Sequence, residues 1–338
     1  MLRRRLSRWF IWLVVAACGC GGVTRAGASL AEDPDGSTDA DGSSNEASIP
    51  DACTQFATVR CATLFRCMPM TAAVVYPNEE QCAVQVGAAC QAELASPGVS
   101  FVGQDKVACE LARASLPCFE LLLSWSYDQP HVTACDLPPG TASNGEICFF
   151  DSACASGQCA HDDGLPWTCG SCQDGLPLGA SCLYSIRECA PGTQCLPVSG
   201  SASESRCTAV ARTGESCDAK PCWDRAPCTA GVCPQPALGK QGAPCTAGPA
   251  SLQCLFDPQC YWDYYCDAAS NTCQPFPPLA AEGEPCDDTF CAGGAACMPD
   301  GCSTPAAWDS PCSYDNCVLP AACIDGICRL PYVDRCGQ

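Results

Sequence analysis

The cysteines are the residues whose number and spacing point most clearly to chemistry in this chain. The stretch 214–233, GESCDAKPCWDRAPCTAGVC, holds four of the chain's 37 cysteines. Thiols at this density can form disulfides, bind metals as thiolates or take part in redox reactions. Cys169 and Cys172 have the Cys-x-x-Cys spacing of zinc and redox sites, but no second such pair follows them. We therefore expect structural disulfides and no metal ligands.

Other catalytic groups are scarce. The chain has 2 histidines, His131 and His161, and it contains no GxSxG, HExxH or P-loop sequence. His161 precedes Asp162 and Asp163, an arrangement that a polar turn explains as well as catalysis does. The sequence predicts a protein that is not an enzyme and that has no cofactor.

The charge and the cysteine content limit the compartment and the partners. The formal net charge is −20 and the pI is about 4.2, so the surface repels phosphate backbones and nucleic acid is not an expected partner. A chain this rich in cysteine is typical of proteins that mature outside the reducing cytoplasm.

The N-terminus has the features of a targeting signal. Basic residues precede an apolar run from Trp9 to Ala17, which as a helix is about 14 Å long and too short for a hydrocarbon core of ~30 Å. Val15-Ala16-Ala17-Cys18 resembles the bacterial lipobox. We expect a lipoprotein signal peptide over 1–17 and a lipid on Cys18, which anchors the chain at the outer membrane or cell surface; plain secretion is the alternative. Residues 18–50 are acidic and poor in apolar types, which predicts a disordered tether.

Residues 51–140 have helical periodicity. Apolar residues recur at spacings such as Val107, Leu111 and Ala114, and Asn78 with Gln81 is typical of a helix start. The block contains eight cysteines, an even number that fits four internal disulfides in one of 105 pairings: Cys53, Cys61, Cys67, Cys82, Cys90, Cys109, Cys118 and Cys135.

Residues 141–338 form a repeat array. Six copies start with a GxxC-type sequence near 145, 179, 214, 242, 283 and 309. The third, fifth and sixth copies share the spacing C-x4-C-x5-C-x4-C, and we expect all of these cysteines in disulfides: Cys217, Cys222, Cys228, Cys233, Cys286, Cys291, Cys297, Cys302, Cys312, Cys317, Cys323 and Cys328.

Covalent bonds must hold each repeat. Ordering a residue costs roughly 1–2 kcal/mol, and a repeat with few large apolar side chains cannot offset this at ~25 cal/mol per Å² of buried surface. Two disulfides contribute roughly 3 kcal/mol each by restricting the unfolded chain. We expect the first cysteine to pair with the third and the second with the fourth. The predicted fold class is small and disulfide-rich: a short helical disulfide-bonded block, then knottin- or EGF-like loop-and-hairpin repeats.

The array holds an odd number of cysteines, which leaves one without an expected partner. Cys266 and Cys336 lie outside the shared spacing, and Cys20 lies in the tether. These three are the candidates for a free or intermolecular thiol.

An aromatic cluster in the fourth repeat is the candidate contact surface. Tyrosine and tryptophan are favoured at interfaces and can stack on sugars. The alternative is that the cluster forms the local core of a larger loop. Its members are Tyr261, Trp262, Tyr264 and Tyr265.

The cysteine spacing over residues 148–195 resembles the N-terminal cysteine-rich region of Dickkopf proteins. The matching residues are Cys148, Cys154, Cys159, Cys169, Cys172, Cys182, Cys189 and Cys195. The chain departs from that family where Glu188, not a second cysteine, precedes Cys189. The whole chain is similar to cysteine-rich lipoproteins of myxobacterial type. The Dickkopf resemblance implies a module for protein–protein contact without catalytic residues.

These patterns favour a non-enzymatic, lipid-anchored cell-surface protein. Its disulfide-stabilised repeats would serve adhesion or the binding of a protein or glycan. A secreted cysteine-rich protease inhibitor that uses one exposed loop is the alternative, and an extracellular enzyme seated in the helical block is a third hypothesis.

Overall fold

A computed structural model of the 338-residue chain describes much of its length. The described residues are 48–127, 131–161, 169–182, 189–190, 193–198, 204–212, 214–222, 228–234, 239–245, 260, 264–267, 269–286, 290–298, 300–312, 317–318, 321–324 and 326–329. The signal peptide, Cys18, Cys20 and nearly all of the tether lie outside these ranges, as does Cys336.

The first part of the described chain is helical. Its helices are α1 (Ile49–Cys67), α2 (Pro69–Val75), α3 (Glu79–Leu94), α4 (Gly103–Ala114) and α5 (Cys118–Tyr127). The Asn78 side chain accepts a 2.8 Å hydrogen bond from the Gln81 backbone N–H, which caps α3 where the sequence predicted a helix start. Proline marks two other starts: Pro69 opens α2 and Pro117 precedes α5.

Four disulfides join these helices, as the even cysteine count predicted. Two of them link α1 to α3, one links the end of α1 to the start of α5, and one links α4 to the 3-10 turn Thr133–Cys135. The pairs are Cys53–Cys90, Cys61–Cys82, Cys67–Cys118 and Cys109–Cys135. The first two pairs require α1 and α3 to run antiparallel, with one cysteine-bearing face of each helix turned to the other.

The buried face of α4 differs from the one that the sequence predicted. Val107 is buried as expected, but Leu111 is 47 % exposed. Lys106 and Glu110 are buried instead. Apolar periodicity does not identify this face, because the helix buries charged residues whose partners lie on other helices.

From residue 147 onward the regular elements are short antiparallel strands. Repeat one has a three-stranded sheet in the order β1 (Ile147–Cys148), β3 (Gly170–Cys172), β2 (Cys159–His161). The other sheets among the described residues are two-stranded hairpins. They are formed by β4 (Thr193–Pro197) with β5 (Ser205–Ala209), β6 (Tyr264–Asp267) with β7 (Thr272–Pro275), β8 (Ala296–Met298) with β9 (Gly301–Ser303), and β10 (Ala322–Ile324) with β11 (Ile327–Arg329).

The small cores of the repeats consist mainly of cysteine and alanine. In repeat five the buried cluster is Ala280, Cys286, Cys291 and Cys302. A helical core of a more ordinary kind surrounds Met68 and Leu121, both fully buried. The chain is therefore a small disulfide-rich fold with a helical N-terminal block and small antiparallel hairpins, in which the hairpins depend on sulfur bridges.

Two repeats contact the helical block. In repeat one, the Ser152 hydroxyl donates a 2.7 Å hydrogen bond to Glu93 of α3. In repeat five, the backbone N–H groups of Gly293 and Gly294 donate 2.7 Å hydrogen bonds to the carbonyl oxygens of Ala73 and Val74 in α2. The array thus returns to the helices far along the sequence.

No helix within the described ranges combines the length and the apolar character that crossing a bilayer requires.

Candidate functional site

The repeated unit is defined by two disulfides that cross. In repeat five, Cys286 is bonded to Cys297 and Cys291 to Cys302. The pattern of first to third and second to fourth recurs in repeats two, three and six, with the pairs Cys182–Cys195, Cys189–Cys207, Cys217–Cys228, Cys222–Cys233, Cys312–Cys323 and Cys317–Cys328. In these repeats and in repeat five, this is the pairing that the sequence predicted. In repeat one the first cysteine is also bonded to the third, Cys148–Cys159, but the second is bonded to the fifth, Cys154–Cys172, because Cys169 intervenes.

The expectation that Cys266 of repeat four is a candidate free thiol is wrong. Cys266 is not a free thiol, because it is bonded to Cys245, while Cys260 is bonded to Cys273. The insertion shifted the cysteine spacing, so Cys266 takes the third position of the shared pattern. The residue that stands outside the pattern in this repeat is Cys254, which lies outside the described ranges.

The crossing brings sulfur atoms of different disulfides together. In repeat one the Sγ atoms of Cys148, Cys154 and Cys172 lie within 4.8 Å of one another, and the same grouping recurs in other repeats. Metal binding by cysteine requires thiolates. Since each of these sulfurs belongs to a disulfide, the groups are stacked disulfides, and the oxidised repeat offers no thiolate ligand there.

The glycine of each GxxC start has a specific backbone role. Gly283 occupies the third position of a turn in which the Glu284 N–H donates to the Ala281 carbonyl at 3.0 Å. Its φ is +78°, the left-handed value that such a turn requires. In repeat six Asp309 occupies the same place with φ +58°, which aspartate tolerates better than most residues.

This turn is tied to the hairpin by a hydrogen bond that recurs in all six repeats. The backbone N–H at the glycine position donates to the carbonyl oxygen of the later cysteine of the second disulfide at 2.7–2.8 Å. The pairs are Gly145–Cys172, Gly179–Cys207, Gly214–Cys233, Gly242–Cys273, Gly283–Cys302 and Asp309–Cys328. The sequence contained the signal, a glycine at the same position of five repeats, but spacing alone did not identify its partner.

Cys169 and Cys172 do not form a redox pair. Cys172 is bonded to Cys154 within the same repeat, and Cys169 is also disulfide-bonded. The Cys-x-x-Cys spacing here therefore serves structural disulfides.

The structure describes part of the predicted aromatic contact surface. Tyr264 is half-buried and packs against the cluster of Cys245, Cys260, Cys266 and Cys273. The backbone of Tyr265 pairs with Gln274 in the β6–β7 hairpin. Tyr261 and Trp262 lie outside the described residues. Tyr264 thus contributes to the local core of repeat four.

The two histidines contact different groups. His161 is half-buried in β2, and its ring lies edge-on to Phe149 with centroids 6.5 Å apart. His131 Nε2 lies 3.2 Å from Asp136 Oδ2 at an exposed position. Asp162 and Asp163, the expected neighbours of His161, lie outside the described ranges.

The helical block contains a buried charge cluster that the sequence did not predict. Arg60 Nη1 donates a 3.0 Å hydrogen bond to Glu110 Oε2, and both residues are buried. Lys106 forms a second buried ion pair with Glu93, and its Nζ lies 5.0 Å from the centroid of the Phe56 ring. A charged residue on a mostly apolar helix gives no signal of its partner, so only the fold identifies these pairs.

The cluster extends to repeat one through Asp151. Burial raises the pKa of Asp151, the hydrogen bond from the Cys159 backbone N–H lowers it, and the negative charge of Glu93 raises it further; the net shift is upward. The Cys159 N–H lies 2.6 Å from Asp151 Oδ1. This region is a buried junction between the helices and the first repeat.

Repeat three has an open cavity of about 500 Å³ beside its first disulfide. Its lining includes both cysteines of the Cys217–Cys228 bond, Cys222 of the second disulfide, and the charged residues Asp218 and Lys220. Cys228 is exposed and Cys217 half-buried, whereas Cys222 and Cys233 of the second disulfide are buried. The cavity therefore gives solvent access to one disulfide of this repeat and much less to the other.

Comparisons of the chain with protein-family models, with curated proteins and with solved structures find no match.

Proposed function

We propose that the protein is a non-enzymatic cell-surface protein. Its disulfide-bonded repeats bind a partner protein or glycan, or mediate adhesion. The observation that supports this most directly is the recurrence of one covalently held unit with different loop sequences. The segment between the second and third cysteines is WDRAP in repeat three, AGGAA in repeat five and VLPAA in repeat six. A constant frame with variable loops is suited to presenting contacts.

The compartment follows from the disulfides. Sixteen disulfides join pairs of described cysteines, numbered from Cys53 to Cys328. Bonds at this density form and persist in oxidising surroundings. An extracellular or secreted protein is the assignment that fits them.

The proposal also includes a lipid anchor and a resemblance of the repeats to known cysteine-rich modules. A lipid on Cys18 would hold the chain at the outer membrane or cell surface, and the acidic residues 18–50 would give the repeats reach. The repeats would belong to the broad group of knottin- and EGF-like modules, with repeat one and part of repeat two similar in cysteine spacing to Dickkopf proteins. The Tyr261–Tyr265 segment is the first place to look for the contact surface.

The anchor is tested by labelling. Full-length chain and its Cys18→Ala variant, expressed in a bacterial host that lipidates, are grown with radioactive palmitate. The proposal expects label and membrane association for the wild type and neither for Cys18→Ala. Equal labelling of the two would contradict the anchor.

The binding function is tested with the Cys18→Ala variant, which needs no detergent. Fluorescent protein is titrated onto cells of the source organism and measured by flow cytometry, with a reduced and alkylated sample as the matched control. Saturable binding by the oxidised protein alone supports the proposal. Replacing Trp262 and Tyr265 by alanine should weaken that binding while the disulfides stay intact. Absence of saturable binding together with inhibition of a protease panel at micromolar concentration would favour the inhibitor alternative.

A further inference from the structure

The disulfides of repeat three differ in their access to solvent. Cys222 and Cys233 are 2 % and 3 % exposed, within a cluster that also buries Ala211. Cys217 is half-buried and Cys228 exposed, and both face the open cavity. A thiolate can attack a disulfide only if it reaches one of the sulfur atoms. Solvent access therefore makes Cys217–Cys228 the reactive disulfide of this repeat and Cys222–Cys233 the inert one.

The cavity also carries charge that selects among thiols. Asp218 and Lys220 are its charged lining residues. Both residues are exposed, and Asp218 accepts a 3.0 Å hydrogen bond from the Ser216 hydroxyl. On a chain of net charge −20, a lysine at the rim gives a local site for an anionic group. A small thiol that carries a carboxylate fits this arrangement.

We propose that Cys217–Cys228 is a thiol-exchange site for small carboxylate-bearing thiols. The incoming thiolate attacks Sγ of the exposed Cys228 and forms a mixed disulfide with it. The Cys217–Cys228 bond breaks, and its electron pair leaves on Cys217 as a thiolate, so one disulfide replaces another without net oxidation. Attack by Cys217 on the mixed disulfide reverses the step and releases the small thiol.

The rest of the repeat holds its shape during this step. The Cys222–Cys233 bond and the 2.8 Å hydrogen bond from the Gly214 N–H to the Cys233 carbonyl oxygen involve neither Cys217 nor Cys228. Opening the first disulfide frees the loop that contains Cys228 but leaves the turn attached to the fourth cysteine. The modified repeat would thus display a changed loop on an intact frame.

Repeat five supplies the internal comparison. It has the same cysteine spacing, with Cys286–Cys297 in place of Cys217–Cys228, but its corresponding loop reads DDTF where repeat three reads DAKP. Cys286 is 6 % exposed. The repeat-five loop has two aspartates and no lysine, where repeat three has one of each, and this disfavours an anionic thiol. Cys297 is exposed as Cys228 is, but its partner Cys286 is buried whereas Cys217 is half-buried.

The test follows exchange in the oxidised full-length Cys18→Ala chain. The protein is incubated with 3-mercaptopropionate or, as the neutral thiol, with 2-mercaptoethanol. Samples are quenched in acid and alkylated, and the labelled cysteines are identified by peptide mass spectrometry. The proposal expects label or mixed disulfide at Cys217 and Cys228 at least about tenfold sooner than at Cys222, Cys233, Cys286 and Cys297.

Charge reversal separates the role of Lys220 from a general effect of net charge. Lys220→Glu should slow exchange with 3-mercaptopropionate by about tenfold relative to 2-mercaptoethanol. Lys240→Glu changes the net charge equally but lies outside the cavity lining, and it should leave that ratio unchanged. Opening of Cys222–Cys233 or Cys286–Cys297 as fast as Cys217–Cys228 would overturn the proposal, and so would equal ratios for the two variants.

Discussion

Cys297 and Cys302 lie directly opposite one another in the β8–β9 hairpin, yet they are not bonded to each other. Cys297 is bonded to Cys286 and Cys302 to Cys291. A bond between the two facing cysteines would only close a hairpin that its strand hydrogen bonds already form. The observed bonds instead tie the hairpin to the segment before it, which has little apolar surface of its own to bury.

The two disulfides of repeat five should differ in their contribution to stability. Each closes a loop with a sequence separation of 11, so each restricts the unfolded chain equally, by roughly 3 kcal/mol. Cys291 and Cys302 are both buried, whereas Cys297 is exposed. Replacing Cys291 and Cys302 by alanine should cost about 1 kcal/mol more than replacing Cys286 and Cys297, because it also leaves a cavity.

Hydrogen exchange measures this difference locally. The backbone N–H of residue 302 donates a 2.9 Å hydrogen bond to the Glu284 carbonyl oxygen. This N–H is present whether residue 302 is cysteine or alanine. Its protection reports opening of the repeat. Equal protection in the two double variants would show that native packing around the second disulfide adds nothing.

Substitution of the turn glycines should be costly because of their backbone conformation and not because of steric clashes. A Cβ at Gly283 would have no neighbour within 4 Å, but φ is +78°. Gly283→Ala is therefore expected to cost roughly 1–2 kcal/mol, and Gly283→Asn less, because asparagine visits the left-handed region more readily. In repeat six, Asp309→Gly should stabilise the turn. Protection of the Cys302 and Cys328 amides, respectively, checks both; a neutral Gly283→Ala would contradict the argument.

Substitution of Gly294 tests the contact between repeat five and α2. Its φ is +75°, close to that of Gly283, but a Cβ there would lie 2.7 Å from the Val75 carbonyl oxygen. Gly294→Ala should therefore break the hydrogen bonds to Ala73 and Val74 and raise the radius of gyration in small-angle X-ray scattering. Gly283→Ala, with similar strain and no such neighbour, is the matched control. The same increase in both variants would mean that strain in the repeat, not the contact, sets the dimensions.

The raised pKa of Asp151 predicts that the stability of the junction between the helices and repeat one depends on pH. Burial raises the pKa of Asp151 above its usual 3.8, against the lowering effect of the Cys159 N–H. Because the folded pKa lies above the unfolded value, ionised Asp151 destabilises the fold at neutral pH, and this cost disappears as the pH falls through the folded pKa. Asp151→Asn keeps an oxygen for the Cys159 N–H and should increase its protection from hydrogen exchange at neutral pH.

The benefit of Asp151→Asn should vanish below the unfolded pKa. Asp267 provides a control of opposite sign, since its hydrogen bonds from Ser270 lower its pKa. Asp267→Asn should therefore weaken the β6–β7 turn at neutral pH and have no effect in acid. A gain for Asp151→Asn that persists unchanged in acid would contradict the assignment.

The sequence predicted the local features of the fold well. Cysteine spacing predicted the crossed pairing of repeats two, three, five and six, because the bonded cysteines lie within one repeat. Asn78 predicted the start of α3, because its partner Gln81 lies three residues further on. It was wrong about Leu111 and about Cys266. The burial of Lys106 depends on Glu93 in another helix, and Cys266 is bonded to Cys245, 21 residues away in a repeat with an additional cysteine, so neither is fixed by nearby residues.

The candidate site was less predictable than the fold. The cysteines that build each repeat were identified, but the cavity beside Cys217–Cys228 and the contact of Gly294 with α2 were not. Both depend on which face of a repeat stays uncovered after folding, and spacing along the chain does not determine that.

Disulfide mapping of protein taken from its native cells tests the central claim most directly. The cells are alkylated before lysis, the chain is digested without reduction, and the linked peptides are identified by mass spectrometry. The crossed pairing predicts linked peptides for Cys286–Cys297 with Cys291–Cys302, and for Cys312–Cys323 with Cys317–Cys328. Alkylated cysteines at these positions in a compact protein, or a Cys297–Cys302 bond between the facing strands, would contradict it.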